Sequence, residues 1–204
     1  SRAHWPMEPV LGRDDDLAAA AQDADLVIIA TPDSAVAAVA AAIEPRPDVV
    51  VAHLSGVLGL APLSAHRRAA VLHPLVALPD ADRGAERLVG AWFGLAVDGD
   101  PLVEEVVDEL HGRIVRVAED DWPRYHAAAV VASNHLVALL GQADRIAASI
   151  DVPLEAYLAL AQGALDDVKA IGPAAALTGP VRRGDTATVQ RHLDGLPVAE
   201  RAAY

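Results

Sequence analysis

The fold is decided by residues 24–43, which have the sequence ADLVIIATPDSAVAAVAAAI. Residues 26–30 form a short apolar run, partly β-branched, with polar residues on both sides. Such a run predicts a strand that is buried on both faces of a sheet. Turn residues follow it, and the small residues at 34–43 then predict a helix. A buried strand followed at once by a helix is typical of an α/β sheet with parallel strands.

The same alternation continues along the first part of the chain. Further strands are predicted at 49–53, 69–72, 92–97 and 113–117, with helices at 16–23 and 101–110. Beyond residue 120 the strand signals stop, and helices are predicted at 122–150, 153–171 and 186–193. We therefore expect a largely parallel sheet in an α/β domain of residues 1–120, followed by an all-helical domain of residues 121–204.

Composition restricts the possible partners. Apolar residues make up 53% of the 204 residues and aromatic residues only 3%, so Ala, Val and Leu must form the core. The formal net charge of −13 argues against binding to nucleic acid or to an anionic membrane. The sequence has no cysteine and no H-E-x-x-H motif, so no metal is predicted. Because no apolar run approaches the roughly 18 residues needed to cross a bilayer, a cytoplasmic protein is expected.

Two polar loops are candidates for binding a dinucleotide cofactor. In open α/β sheets, ligands bind at the carboxyl ends of the strands, and two predicted strands end in polar residues here. In a dinucleotide-binding fold the backbone of these loops would line the ribose and the nicotinamide. The alternative is that they are ordinary turns, because Pro, Ser and Gly are common turn residues. The candidates are Ala30, Thr31, Pro32, His53, Ser55 and Gly56.

The glycine motif that binds the pyrophosphate of dinucleotides, G-x-G-x-x-G, is absent from the sequence. It would belong to the first strand–helix turn of such a domain, so we expect the chain to begin after that turn. Arg2 would then follow the second strand, where an Arg can bind the 2′-phosphate of NADP. This position slightly favours NADP over NAD. The alternative is that Arg2 is simply part of the chain end.

Polar residues interrupt the apolar helix predicted at 122–150. On a helix that turns about 100° per residue, His126 and Ser133 lie within about 20° of each other, and Asn134 lies about 80° from His126. The three could border one cleft, in which His126 donates a proton to a carbonyl oxygen and Asn134 orients the substrate. The alternative is polar packing between helices. His73, at the end of a predicted strand, could contact a ligand at the sheet edge. The alternative is that His73 has no such role and that Pro74, which follows it, simply ends the strand.

Residues 178–186 are a candidate binding site for a carboxylate or phosphate. Thr178, Gly179, Arg182 and Arg183 precede a predicted helix, and exposed backbone N–H groups with Arg side chains suit such an anion. The segment is not a Walker A loop, because Asp185 stands where the motif has Lys. The alternative is a linker between helices, with Asp185 as the N-cap of the second.

These segments, in this order, resemble the Rossmann-like proteins that carry the C-terminal domain of unknown function 2520. The resemblance covers about residues 14–193. The last two of the matching motifs are specific to the family, whereas the strand motifs are shared by many dinucleotide-binding proteins. The motifs are ADLVIIATPD (24–33), VVVAHLSG (49–56), LHPL (72–75), YHAAAVVASNHLVAL (125–139) and ALTGPVRRGDTATVQRHL (176–193).

The resemblance implies a partial Rossmann-like NAD(P)-binding domain and a helical domain of the 6-phosphogluconate dehydrogenase C-terminal type, similar to those of ketopantoate reductase and pyrroline-5-carboxylate reductase. In ketopantoate reductase-like enzymes the first helix after the Rossmann domain carries a catalytic Lys and, two turns later, an Asn. Aligned on Asn134, the Lys position falls at His126. The resemblance also implies that the chain lacks the first βαβ unit of longer relatives and a closing helix after Tyr204.

We therefore expect an NAD(P)-dependent reductase of a small 2-oxo acid or imine, with ketopantoate suggested by the resemblance alone. Hydride transfer would take place in a cleft between the domains, and a homodimer would form through the helical domain. Two alternatives stay open: a protein that binds a nicotinamide or metabolite without turnover, and a helical dimerisation module. The expected catalytic residues are His126, Asn134 and Ser133, and the expected substrate-binding residues are His73, Thr178, Gly179, Arg182 and Arg183.

Overall fold

The computed structural model of the chain describes residues 5–204. The chain divides between Val131 and Ala132 into two compact units. The sequence placed the boundary near residue 120. The difference arises because the helix that begins at Trp122 packs on the sheet of the first unit.

The first unit is built on a five-stranded sheet with the strand order β1-β2-β3-β4-β5. Strands β1, β2 and β3 are parallel to one another, β4 is antiparallel to β3, and β5 is parallel to β4. The mixed direction arises because the connection between β3 and β4 returns to the sheet at the edge where β3 ends, pairing Pro74 with Phe93. The strands are β1 (Leu26–Ile29), β2 (Val50–His53), β3 (Arg68–Pro74), β4 (Trp92–Ala96) and β5 (Arg113–Val117).

The described part of the first unit has four α-helices: α1 (Asp33–Ala42), α2 (Ala81–Leu88), α3 (Leu102–Glu109) and α4 (Trp122–Val130). All but α2 were predicted from the sequence. The Ala-rich segment predicted as a helix at 16–23 forms a 3₁₀ helix over Leu17–Ala21. Helix α1 begins directly after the β1 loop, and no side chain caps its N-terminus.

The core of this unit lies on both faces of the sheet. On one face, Val36 and Ala40 of α1 pack with Val51 of β2. On the other face, Val103 and Val107 of α3 pack with β4. Every residue of β2 is buried, as the apolar run predicted for a strand covered on both faces. The α/β fold class is therefore confirmed.

Helix α4 is fixed to the sheet by its first turn. The Trp122 side chain is fully buried and packs with Val71, Ala96 and Val117, which belong to β3, β4 and β5. Tyr125, one turn later, lies partly buried beside them. Trp122 thereby holds the start of α4 against the strands and sets the position of the residues that follow it.

The second unit is helical, as predicted. A π-helical segment at Val131–His135 leads into α5 (Leu136–Ala148), which is followed by α6 (Leu154–Ile171), α7 (Pro173–Ala176), α8 (Gly179–Arg182), α9 (Thr186–Gly195) and a 3₁₀ helix at Val198–Ala203. The chain end is fixed to α5 through Glu200. Its backbone carbonyl accepts a hydrogen bond from Gln142, at 3.0 Å, and its carboxylate forms an ion pair with Arg145, at 2.6 Å.

Candidate functional site

The carboxyl ends of β1, β2 and β3 lie at one edge of the sheet, because the three strands are parallel. At this edge Ala30, Thr31 and Pro32 are exposed and lead directly into α1. Their backbone is therefore accessible beside the first turn of a helix. This is the edge at which open α/β sheets bind ligands.

The loop after β2 is held by its own side chains. The buried His53 ring contacts the carbonyl oxygen of Gly59 through Nε2, at 2.9 Å, and Nδ1 accepts the N–H of Ser55, at 3.2 Å. The Ser55 hydroxyl oxygen accepts the backbone N–H groups of Val57 and Leu58. Since both nitrogens of His53 are used within the loop, its side chain organises the loop. A cofactor contact predicted for this residue would come from its backbone.

Glu119, which precedes α4, fixes the far end of the same loop. Its carboxylate accepts the N–H groups of Leu60, at 2.9 Å, and Ala61, at 3.3 Å. A Cβ atom at Gly59 would overlap this carboxylate, so the glycine leaves room for the carboxylate in its present position. Burial lowers the pKa of His53 below its usual range, while the hydrogen bond with Gly59 and the charge of Glu119 act in the opposite direction.

His73, at the end of β3, is paired with Tyr125 of α4. Its Nδ1 lies 3.0 Å from the Tyr125 hydroxyl oxygen, and the two rings are T-shaped with centroids 5.5 Å apart. The Tyr125 ring itself stands edge to face against Trp122. The packing of α4 on the sheet therefore places the Tyr125 hydroxyl group beside the His73 ring.

His126, the next residue of α4, approaches His73 around Gly56. The two imidazole rings are T-shaped with centroids 5.8 Å apart. A Cβ atom at Gly56 would fall 2.5 Å from His73 Nε2 and 2.6 Å from His126 Cδ2. The absence of a side chain at Gly56 is thus what allows the two histidines to meet at this edge.

Burial keeps His73 in its neutral form. The pKa of the imidazole falls from 6.5 to about 4, mainly through burial and also through the neighbouring His126, while Asp33 opposes the shift. Burial also raises the pKa of the Tyr125 hydroxyl, against a hydrogen bond from Gly94. Near neutral pH, His73 is therefore a neutral hydrogen-bonding group. Strongly shifted groups of this kind are typical of functional sites, although structural networks also produce them.

Ser133 and Asn134 lie in the π-helical segment Val131–His135, where the Ser133 hydroxyl donates to Asn134 Oδ1 at 2.8 Å. The alignment of His126 with Ser133 assumed an unbroken α-helix at about 100° per residue. A π-helical turn changes that rotation, so the assumed alignment does not hold across it. Single π-helical turns occur frequently at functional sites. The catalytic roles of Ser133 and Asn134 stay predictions.

The segment 178–186 is more ordered than the sequence suggested. Gly179, at φ +88°, opens the short helix α8, and the N–H groups of residues 183–185 are hydrogen-bonded within this turn rather than left open for an anion. Arg182 donates to the carbonyl oxygen of Ala174, while Thr178 and Arg183 are exposed. Asp185 caps α9 by accepting the N–H of Thr188 at 3.0 Å, which confirms the N-cap alternative.

Among residues 5–204, no three His, Asp or Glu side chains are placed to share a metal ion. No helix in this part of the chain is both long and apolar enough to span a bilayer. Arg2 lies outside the described residues.

The sequence did not predict the contacts of Glu119 and Gly94 and suggested no role for Tyr125, because these contacts join residues far apart along the chain. The one sequence feature that pointed to the contact of Tyr125 was its place among the polar residues of an otherwise apolar helix.

Comparison with solved structures places this arrangement among known folds. Protein TM1727 from Thermotoga maritima is 28% identical over 82% of this chain and 68% of its own, with a TM-score of 0.66. BF3122 from Bacteroides fragilis, provisionally named an NADP oxidoreductase, is 21% identical over 92% of this chain and 75% of its own, with a TM-score of 0.75. A reductive aminase from Aspergillus terreus, in complex with NADPH and ethyl levulinate, shares 18% identity over 87% and 60% of the two chains, with a TM-score of 0.55.

The latter two likenesses show the Rossmann-like fold alone. No functionally curated protein matches the sequence. Residues 95–204, more than half of the chain, match the family described as a domain of unknown function, DUF2520. This match includes α4, the π-helical segment and the whole helical unit. The chain therefore belongs to the DUF2520 family.

Proposed function

We propose that this chain is part of an NAD(P)-dependent reductase that acts on a small 2-oxo acid or imine. The observation that carries the proposal is the meeting of His73 and His126 around Gly56, at the edge where β1, β2 and β3 end. This edge is where a Rossmann-like sheet would present a nicotinamide. The names of two structurally similar proteins, one an NADP oxidoreductase and one a reductive aminase holding NADPH, support the same reaction class.

The residues at this edge fit the nicotinamide end of the cofactor. The accessible backbone at Ala30, Thr31 and Pro32 can exchange hydrogen bonds with a neutral carboxamide and a ribose, and Ser55 and Gly56 lie at the end of the neighbouring strand. The pyrophosphate end is not matched, because the sequence contains no G-x-G-x-x-G motif. When bound, a reduced nicotinamide would supply a hydride to the carbonyl or imine carbon. NADP is preferred here because both supporting names refer to it.

In this scheme His126 donates the proton that the reduced oxygen or nitrogen requires. It stands on α4 at the position where similar enzymes have a Lys, and its ring is half-buried beside His73. His73 is a neutral hydrogen-bonding neighbour, so it does not compete for that proton. Roles in holding the substrate are proposed, from the chemistry of their side chains and backbone, for Asn134, Ser133, Thr178, Gly179, Arg182 and Arg183. Ketopantoate is one candidate substrate on the ground of the resemblance alone.

The proposal is tested on the natural protein that contains these residues. NADPH and NADH oxidation would be followed with a panel of 2-oxo acids, including ketopantoate, and with cyclic imines and ketone–amine mixtures. We expect turnover with at least one carboxylate-bearing carbonyl or imine, and tighter binding of NADPH than of NADH. Binding without turnover would instead favour a nicotinamide sensor. Neither binding nor turnover would overturn the proposal.

We also propose that the helical unit forms a homodimer. Helix α6 has no buried residue, although Leu160 and Ile171 are apolar and 70% and 59% exposed. On α5, Val137 and Leu139 are 70% and 59% exposed. Exposed apolar faces of this extent are typical of interfaces, and a second copy would cover two equivalent faces at once.

Sedimentation of the purified protein tests the dimer. We expect a dimer at micromolar concentration and a shift towards monomer for Leu160→Glu. The matched control is Gln190→Glu, at an exposed polar position on α9. A monomeric wild-type protein, or a Leu160→Glu dimer of unchanged affinity, would contradict this part.

A further inference from the structure

We propose that Tyr125 is a positioning residue that fixes His73 as the Nε2–H tautomer, so that His73 donates a hydrogen bond from Nε2 to the group reduced beside His126. The tautomer is inferred from the contact between the Tyr125 hydroxyl and His73 Nδ1. The donor role rests on the proposed reductase function and deepens it. The relevant atoms all belong to the first unit: the Tyr125 hydroxyl, the two nitrogens of His73, the backbone of Gly94 and the ring of His126.

The direction of the hydrogen bond between Tyr125 and His73 sets the tautomer. The hydroxyl group has a single proton to donate, and His73 Nδ1 is the one acceptor within hydrogen-bond distance of it among the described residues. That proton is therefore available for His73 Nδ1, which lies 3.0 Å from the hydroxyl oxygen. A neutral imidazole whose Nδ1 accepts a hydrogen bond carries its proton on Nε2.

The position of the Tyr125 hydroxyl is fixed by close packing. Its ring stands against the fully buried Trp122, with centroids 5.5 Å apart. A Cβ atom at Gly94 would fall 2.6 Å from the hydroxyl oxygen, so glycine is required for this approach. The hydroxyl therefore occupies one place in the fold, as a group that orients another side chain must.

The Nε2 atom of His73 lies beside Gly56 and the His126 ring. A Cβ atom at Gly56 would fall 2.5 Å from Nε2, and the His126 ring lies at the same place. Within the described residues Nε2 has no hydrogen-bond partner, while Nδ1 has one. A donor without a protein partner, next to the proposed proton donor, is suited to hold the oxygen or nitrogen of a substrate.

The groups around His73 favour its uncharged form, which is the form that donates from Nε2. His126 and His53 both disfavour a positive charge on His73, and burial disfavours it more strongly than either, while Asp33 alone favours it. His73 is therefore unsuited to be the acid of the pair. In this arrangement His73 donates a hydrogen bond to the reacting atom, and His126 supplies the proton.

The tautomer can be measured without cofactor or substrate. Long-range ¹H–¹⁵N NMR spectra of the ¹⁵N-labelled protein report which imidazole nitrogen carries the proton. We expect the Nε2–H form of His73 in the wild type and a mixture of both tautomers in Tyr125→Phe, which keeps the ring packed on Trp122. The matched control is Tyr204→Phe, because the Tyr204 hydroxyl makes the same type of contact with Nδ1 of the exposed His192, at 2.6 Å. This control should leave His73 unchanged.

A wild-type His73 protonated on Nδ1, or an unchanged tautomer in Tyr125→Phe, would overturn the proposal. If Tyr125→Phe does not fold, Gly94→Ala serves as the second variant, since its Cβ atom would displace the hydroxyl, and the wild-type spectrum alone remains decisive. In turnover assays, Tyr125→Phe should lower kcat about tenfold with little change in the KM for NADPH. A shifted tautomer with unchanged kcat would overturn the donor role. A wild type without turnover would refute the reductase function and the donor role, but not the tautomer.

Discussion

The Nδ1 atom of His73 lies 3.0 Å from the hydroxyl oxygen of Tyr125, although 52 residues separate the two along the chain. One belongs to a central strand and the other to the helix that leaves the sheet. The pair exists because Trp122 anchors the start of that helix on three strands of the sheet. The packing of α4 on the sheet thus determines which side chain His73 contacts at the end of β3.

Gly56→Ala should lower turnover strongly and the stability of the fold only modestly. The new Cβ atom would lie 2.5 Å from His73 Nε2, so the imidazole rings must separate, and overpacking of this kind costs about 1–3 kcal/mol. Thermal unfolding and turnover of the variant, measured together, would show a modest loss of stability with a large loss of turnover.

Gly163→Ala is the control for Gly56→Ala. Gly163 lies within α6, and nothing lies within 4 Å of the position where its Cβ would be. This substitution should stabilise the protein by about 0.5–1 kcal/mol, as an Ala for Gly exchange in a helix does, and leave turnover unchanged. Equal effects of the two variants on turnover would contradict the close meeting of the histidines at Gly56.

The stability of the protein should fall as the pH drops from about 6.5 to about 4. The pKa of His73 is lowered to about 4 in the folded state from 6.5 in the unfolded chain, so the unfolded chain binds more protons between these values. Protonation then favours unfolding. We expect His73 to account for a loss of roughly 2 kcal/mol across this window, since the group is only partly shielded from solvent.

Denaturant unfolding at pH 7 and pH 4.5 measures this effect. His73→Gln should show a weaker pH dependence than the wild type. His192→Gln, at an exposed histidine of the second unit, should keep the wild-type dependence. If His73→Gln and the wild type lose equal stability, His73 is not the group responsible.

Much of the first unit could be predicted from sequence because its signals are local. The apolar runs of β1 and β2 and the helix after β1 were all predicted near their observed positions, and in the second unit so was the cap at Asp185. The antiparallel direction of β4 was not, since it depends on the path of the connection from β3. The contact of Tyr125 with His73 was also missed, because it depends on how α4 packs on the sheet.

Glu119→Ala should loosen the loop after β2. The variant loses the carboxylate that accepts the N–H groups of Leu60 and Ala61, so hydrogen exchange at these two amides should become faster. Glu119→Gln keeps one acceptor oxygen and should show a smaller effect. Amides at Val57 and Leu58, which are bonded to Ser55, serve as internal controls. Unchanged exchange at Leu60 in Glu119→Ala would show that the carboxylate does not fix the loop.

The central claim is that His126 supplies the proton in a nicotinamide-dependent reduction. The most direct measurement compares kcat and the Kd for NADPH between the wild type and His126→Ala, with His135→Ala, at an exposed histidine of the π-helical segment, as control. We expect His126→Ala to lower kcat about 100-fold or more, as loss of a general acid does, while its Kd for NADPH stays within about twofold. A His126→Ala enzyme that turns over at the wild-type rate would contradict this claim.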